Sequence, residues 1–299
     1  SYLEKDSTTN LMDRLNGEYK GIGVEITSTE SGTMVMTVFD GSPASKAGIM
    51  VGDIITKVAD NDVQNSTPSE VSNLIKSTNG TTTIEVLRGG VYKTLEINVE
   101  KVSIPSVSSS NFDGVGYIKI TTFSNNTYEQ FKTALSSLEK ENIDSLVIDV
   151  RNNGGGFLNA AVDIAELFIE KGKNVYGLET KEKTEYYKDS TKESRKYKVG
   201  ILLNSASASA SEILAAALKE SYGATLLGLT SYGKGTVQET SELETGGMIK
   251  YTTAYWLTPN GNKINNVGLK PDVEITGDYN DDMDYESDTQ LLTAIKNMK

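Results

Sequence analysis

Between residues 21 and 100 the apolar positions come in short bursts that alternate with polar ones, broken by glycine-rich turns. Gly21-Ile22-Gly23-Val24-Glu25-Ile26, Met34 to Phe39, Gly52 to Val58, Ile84 to Leu87 and Leu95 to Val99 each have the two-residue period of a half-buried strand. Two helices interrupt them: one turn around Ala47-Gly48-Ile49, and a longer helix from Thr67-Pro68-Ser69-Glu70. That tetrapeptide is a capping box with proline at the first helical position, and it sets Val71, Leu74 and Ile75 on one face. About 80 residues of this texture predict one compact β-rich unit. Residues 1–20 are polar, with Leu11, Met12 and Leu15 spaced for a short helix. The serines and proline between Val102 and Ser110 predict a linker.

After residue 114 the period lengthens. Val115 to Ile120, Leu146 to Val150, Val199 to Leu203 and Thr225 to Leu229 are continuous apolar runs of buried-strand type. Helical patterns beginning at Thr127, at Leu158 and near Glu212 separate them. Strands also follow at Thr236 to Leu243 and Met248 to Trp256. Such alternation predicts an α/β domain with parallel strands, whose ligand sites lie at the strands' carboxyl ends. The whole is an α/β (α+β multidomain) chain, with 1–19 as an N-terminal segment, 20–102 as the β-rich domain and 103–299 as the α/β core.

Composition narrows the chemistry. Among 299 residues there is no cysteine and no histidine. That removes disulfides, thiolate nucleophiles, cysteine or histidine metal centres and every imidazole acid or base. Any acid–base step near neutrality falls to Lys, Tyr, Asp or Glu. With 29 Lys+Arg against 41 Asp+Glu the formal charge is −12, which disfavours nucleic acid and anionic membranes as partners. No apolar run is long enough to span a bilayer and no signal peptide opens the sequence.

Three blocks stand at predicted carboxyl ends of strands. Arg151-Asn152-Asn153-Gly154-Gly155-Gly156 is read as a sharp strand-to-helix turn, a phosphate cradle or an oxyanion hole. Asn204-Ser205-Ala206-Ser207-Ala208-Ser209-Ala210-Ser211-Glu212 has the composition of a flexible linker but sits between a buried strand and a helix. A crowded elbow exposing a nucleophilic hydroxyl fits that position, and spacing alone leaves each serine a candidate. In Gly233-Lys234-Gly235-Thr236-Val237-Gln238 a phosphate-binding loop is nearly spelled from Gly228 onward. It fails because Gly235 replaces the magnesium-binding hydroxyl and a strand follows. On a strand, Lys234 and Gln238 share a face. Together the blocks suggest a serine activated by a lysine kept neutral by burial, with Gln238 orienting the lysine without adding charge and backbone amides stabilising an oxyanion.

These residues resemble the carboxyl-terminal processing proteases, serine peptidases with an inserted PDZ domain. The resemblance also runs through Gly41-Ser42-Pro43-Ala44, Ala47-Gly48, Gly52-Asp53, Thr258-Pro259-x-Gly261, Gly268-x-x-Pro271-Asp272 and Asp288-x-Gln290-Leu291. It implies a crotonase-like α/β peptidase core, the middle serine, Ser209, as nucleophile, Lys234 as general base, Gln238 as its support, and the amides of Ala210 and Gly156 as oxyanion donors. No cofactor or metal is implied. The PDZ unit would hold peptide tails at the amides of Gly21, Ile22, Gly23 and Val24, the peptide adding a strand to the sheet and its last apolar side chain lying near Val24, Ile26, Val71 and Ile75. Polypeptides with exposed carboxyl-terminal tails are the implied partners. A helical region ahead of the PDZ unit, of which residues 1–19 would be a remnant, implies export, an extracytoplasmic location, a membrane anchor and a homodimer; a regulatory or activating protein is a further implied partner. Gly154 stands where the family commonly carries proline. The alternative from another class is a catalytically silent PDZ-bearing regulator. The acidic stretch from Asp278 to Asp288 misses the EF-hand pattern, with Met283 at the obligatory glycine and Thr289 at position twelve, and is read as a solvated loop.

Overall fold

The structure, a computed structural model, describes residues 16–242, 248–280 and 285–299, and the backbone alone of 238–242 and 248–250. The amphipathic stretch around Leu11 lies outside the described residues. The described residues form two compact units, Asn16–Pro105 and Ser106–Lys299.

The first unit is a sheet with two helices. Strands β1 (Glu18–Gly21), β2 (Val24–Thr29), β3 (Gly32–Val38), β4 (Ile54–Val58), β6 (Gly80–Arg88) and β7 (Val91–Ser103) run in the spatial order β1-β7-β6-β4-β3-β2, with the short β5 (Asn61–Asp62) against β4. Helix α1 spans Pro43–Ala47 and α2 spans Pro68–Ser77. The capping box is formed: the Thr67 amide donates to Glu70 Oε2 (2.8 Å) and the Glu70 amide to Thr67 Oγ1 (3.3 Å). Val71 and Ile75 on that helix are buried with Ile22, Val35, Ile55 and Ile84 as the unit's core, while Val24 and Ile26 are half-buried at its border. Among the described residues strand β2 terminates the sheet, with no further strand paired on its outer edge.

The second unit carries a six-stranded sheet in the order β17-β14-β13-β10-β9-β8: Val273–Glu274, Thr225–Gly228, Lys198–Leu203, Ser145–Asp149, Val115–Ile120 and Val107–Phe112. All neighbouring pairs are parallel except β8 with β9. The serine-rich stretch after Pro105 is therefore not a linker. An edge strand buries only part of its surface, and the serines of β8 are exposed or half-buried along it. Helices α3 (Thr127–Lys140), α4 (Leu158–Glu166) and α5 (Ala210–Ala217) pack on the sheet, and α6 (Thr289–Met298) joins a second cluster with Tyr117, Val147, Leu202 and Leu227. A single π turn, Leu218–Tyr222, continues α5. A separate antiparallel sheet has the order β12-β11-β16-β15, from Thr184–Lys188, Asn174–Glu179, Met248–Leu257 and Thr236–Glu242. Its first two strands escape a periodicity reading because β12 is exposed along its full length.

Candidate active site

Parallel neighbours β10, β13 and β14 end on the same side of the sheet, and each feeds one block of the site. Residues 151–156 leave β10, residues 204–209 leave β13, and residues 229–235 leave β14. The three blocks are far apart in sequence and meet because the strands are consecutive in the sheet.

Ser209 sits between β13 and α5 at φ +56° and ψ −116°, a conformation costly for any residue with a Cβ. It is the N-cap of α5, so the Ala210 amide is among the first-turn donors that a helix leaves without an internal partner. Geometry separates the other serines of the block. Ser207 is buried and donates to the Val150 carbonyl (2.7 Å), and Ser211 is buried and donates to the Asn153 carbonyl (2.8 Å). Both hydroxyls are structural ties to the glycine-rich turn, whereas Ser209 is half-buried on the elbow itself.

That turn is itself fixed by hydrogen bonds. Buried Asn153 donates to the Ile120 carbonyl (2.9 Å) and its Oδ1 accepts the Gly155 amide (2.9 Å). Asn152 and Asn204 exchange two bonds, backbone amide to Oδ1 (3.0 Å) and Nδ2 to Oδ1 (2.9 Å), which joins the turn to the serine block. Phe123 and Gly156 form a parallel bridge in which Phe123 donates to the Gly155 carbonyl (3.1 Å) and Phe157 donates to the Phe123 carbonyl (2.7 Å). The flanking residues make both bonds, leaving the Gly156 amide directed away from Phe123. A Cβ on Gly156, at φ +143°, would collide with the Phe123 carbonyl. One on Gly155 would stand 3.1 Å from the Ala210 nitrogen, so the Gly156 and Ala210 amides come from adjoining backbone.

Glu212 ties the serine to the lysine. Its carboxylate is buried and accepts four hydrogen bonds: Ser209 N–H (2.9 Å) and Lys234 N–H (2.9 Å) on Oε2, Gly233 N–H (2.7 Å) and the Ser231 hydroxyl (2.5 Å) on Oε1. Lys234 is half-buried, and its carbonyl accepts from Trp256 Nε1 (2.7 Å). Among the described residues no hydrogen bond joins Ser209 Oγ to Lys234 Nζ. Gln238 lies on β15 opposite Thr252, beside a register irregularity at Val237/Gln238, and its side chain is outside the described residues. The four-bond role of Glu212 escaped the sequence reading. The available signal was its spacing three residues after Ser209, the capping-box interval already recognised at Thr67 and Glu70.

No metal-ligating cluster occurs among the described residues, and Asp281, Asp282 and Asp284 lie outside them. In the first unit, the Ile22 carbonyl accepts from Ala44 (2.8 Å) and the Gly23 carbonyl from Phe39 (2.9 Å), which fixes the loop from Gly21 to Val24. The Ile22 side chain belongs to the core, so only its backbone is available to a ligand. The Tyr19 ring covers Gly21, where a Cβ would strike it, and Lys76 Nζ lies 5.8 Å from the ring centroid. Burial pushes the Tyr19 hydroxyl above its ordinary pKa, while the facing amides of Val24 and Gly23 pull the other way.

A strained serine elbow, a glycine-rich turn beside it and a lysine-bearing loop, next in the chain to a small β-unit with an open edge, define a PDZ-bearing α/β protein of serine-peptidase type. The sequence agrees. Residues 114–275 match the model of peptidase family S41 and residues 20–99 that of a PDZ domain, and the chain belongs to peptidase family S41. It is 39% identical over 278 residues to a probable CtpA-like serine protease of Staphylococcus aureus, covering 92% of this chain and 56% of that protein. A probable CtpA-like serine protease of Staphylococcus haemolyticus is 36% identical with the same coverage. The chain thus spans just over half the length of these relatives. Among solved structures, the photosystem II D1 C-terminal processing protease is 28% identical with a TM-score of 0.56, covering 92% of this chain and 77% of that one. A putative S41 protease of Bacteroides fragilis shares the fold at a TM-score of 0.58 and 16% identity, covering 99% and 90%.

Proposed function

We propose that this chain is a serine endopeptidase that engages polypeptides through their carboxyl-terminal tails and cuts them with Ser209. Lys234 Nζ takes the proton from Ser209 Oγ as the oxygen bonds to the scissile carbonyl carbon. The amides of Gly156 and Ala210 hold the oxyanion. Collapse breaks the C–N bond, the leaving amine receives the proton from Lys234, and water cleaves the resulting ester by the same path in reverse. Gln238 orients Lys234. Tails are captured at the amides of Gly21, Ile22, Gly23 and Val24 as a strand added to the edge of β2. Lys234 and Ser209 close to hydrogen-bonding distance when a tail, an activating partner or a second copy of the chain binds. The reaction takes place outside the cytoplasm, which suits a chain without cysteine.

The observation that carries this reading is Ser209 at φ +56° on a strand-to-helix turn, with its amide and that of Lys234 on one carboxylate oxygen. The test is mass spectrometry of casein after incubation with the chain and with Ser209→Ala. New termini from the wild type alone are expected. Cleavage by both proteins would remove Ser209 as nucleophile, and cleavage by neither would leave a dyad held latent or the catalytically silent regulator.

A further inference from the structure

The buried ion cluster behind the glycine-rich turn has no part in the chemistry just described. Arg151, the first residue of that turn, is 2% exposed. Its guanidinium bridges two carboxylates: Asp149 at the end of β10 (Nη2 to Oδ2, 2.7 Å) and Asp288 (Nη2 to Oδ2, 2.7 Å, and Nη1 to Oδ1, 3.0 Å). Gln290 Oε1 accepts from Nη1 (3.1 Å), and the Tyr279 ring stacks on the guanidinium with its centroid 4.6 Å from Cζ. Asp149 and Arg151 are sequence neighbours, so their contact is local. Asp288 comes from 137 residues away and is also the N-cap of α6, where Oδ1 accepts the Leu291 amide (2.8 Å). One carboxylate therefore starts the C-terminal helix and grips the turn.

Every link from there to the elbow is a hydrogen bond. Asn152 at φ +58° is tied to Asn204, Asn153 holds the Gly155 amide, and the Asn153 carbonyl accepts from Ala208 (3.0 Å) and from the Ser211 hydroxyl. Arg151 is followed by a positive-φ asparagine and two glycines at φ +105° and +143°, so these hydrogen bonds, and not the intrinsic stiffness of the backbone, set the shape of the turn.

We propose that Asp288 is a positioning residue for the oxyanion turn, which makes residues 288–299 a working part of the peptidase core. Acting through Arg151, Asp288 sets the direction of the Gly156 amide. A bidentate pair between buried guanidinium and carboxylate fixes orientation as well as distance. The inference rests on the peptidase reading for its kinetic consequence, though not for its structural one.

Two variants and two readouts test it. Asp288→Asn in the full chain keeps the size of the side chain and a helix-capping oxygen but loses the second oxygen facing Arg151. The expected kinetic result is a kcat fall of about 100-fold, the cost of a misplaced catalytic group, with KM within about twofold. Amide hydrogen exchange across 151–157 is expected to speed up while exchange in β9 and β13 stays as in the wild type. Arg151→Met with Asp149→Asn and Asp288→Asn removes the guanidinium and both of its carboxylates together, so that no buried charge is left unpaired and a capping oxygen remains for α6. This triple variant is expected to stay folded and yet be inactive. Unchanged exchange across 151–157 in Asp288→Asn would overturn the inference whatever the activity, as would wild-type kcat in either variant. A wild-type chain that never cleaves casein would instead count against the peptidase reading, and the exchange result would still decide whether Asp288 sets the turn.

Discussion

The backbone amide of Lys234 points at Oε2 of Glu212 from 2.9 Å, on the oxygen that also receives the amide of Ser209. The amides of the residues proposed as nucleophile and general base thus share one acceptor atom although 25 positions separate them. Glu212 is an acceptor at all four of its bonds, so an isosteric amide is the informative change. In Glu212→Gln the NH2 group must face either the two amides on Oε2 or the Ser231 hydroxyl and Gly233 amide on Oε1. Two buried donors then lose their acceptor, at about 1–3 kcal/mol each. We expect a marked fall in melting temperature and kcat at least 100-fold lower, read by calorimetry and by peptide-hydrolysis kinetics.

Gly155 abuts the serine from the other side. A Cβ there would come within 2.8 Å of Ser209 Cβ and 2.9 Å of the Ala208 carbonyl, at a φ of +105° that disfavours any other residue. Gly155→Ala must push the elbow, the turn or both. The expected result is loss of detectable turnover with about 1–3 kcal/mol of destabilisation, checked by urea unfolding monitored alongside casein cleavage. Gly154→Ala is the control, since nothing lies within 4 Å of its position.

Much of this arrangement is legible in the amino-acid order. Apolar runs at β9, β10, β13 and β14 name the parallel strands, because a strand covered on both faces has no polar alternation to keep. The capping box at Thr67 and the blocks around Ser209 and Lys234 are local and chemically distinctive. What escapes is long-range or ambivalent. The serines of β8 look like a linker because hydroxyls suit an edge strand as well as a loop. The exposed β12 has no buried face to generate a pattern. Glu212 and Asp288 act through partners whose proximity depends on strand order, which no local pattern encodes.

Tyr19 bears on tail binding. Burial raises its pKa and the nearby amides of Val24 and Gly23, two of the donors proposed for a ligand's terminal carboxylate, lower it. A hydrogen is shared by one strong acceptor at a time, so a tail bound at those amides is expected to compete with the tyrosine. Tyr19→Phe keeps the ring over Gly21 and removes the competing oxygen. Affinity for a fluorescein-labelled decapeptide ending in Val-Val as the free acid is expected to rise about 2–10-fold, the net worth of one hydrogen bond. The same peptide with an amidated terminus should show no gain. Anisotropy titration measures both, and a weaker Tyr19→Phe would make the hydroxyl a contributor to binding rather than a competitor.

The first unit should also lose stability in acid through one identifiable pair. Burial pushes the carboxyl of Asp53 upward, but Arg88 and the Met50 amide more than offset it and hold it below the ordinary carboxylate value. Arg88 grips both oxygens at 2.6 Å and donates to the Gly48 carbonyl as well. A carboxyl whose folded pKa lies below its unfolded value of about 3.9 gives its full stabilisation above that value and loses it as pH falls through the folded one. Asp53→Asn, which cannot ionise, should cost about 2 kcal/mol at pH 7, the scale of a charged hydrogen bond. Its penalty should shrink as pH drops below about 4. Hydrogen exchange of β4 and β6 in the full chain, followed from pH 7 to pH 3, measures this directly. A penalty that stays constant across that range would show that Arg88 holds Asp53 by geometry alone and not by charge.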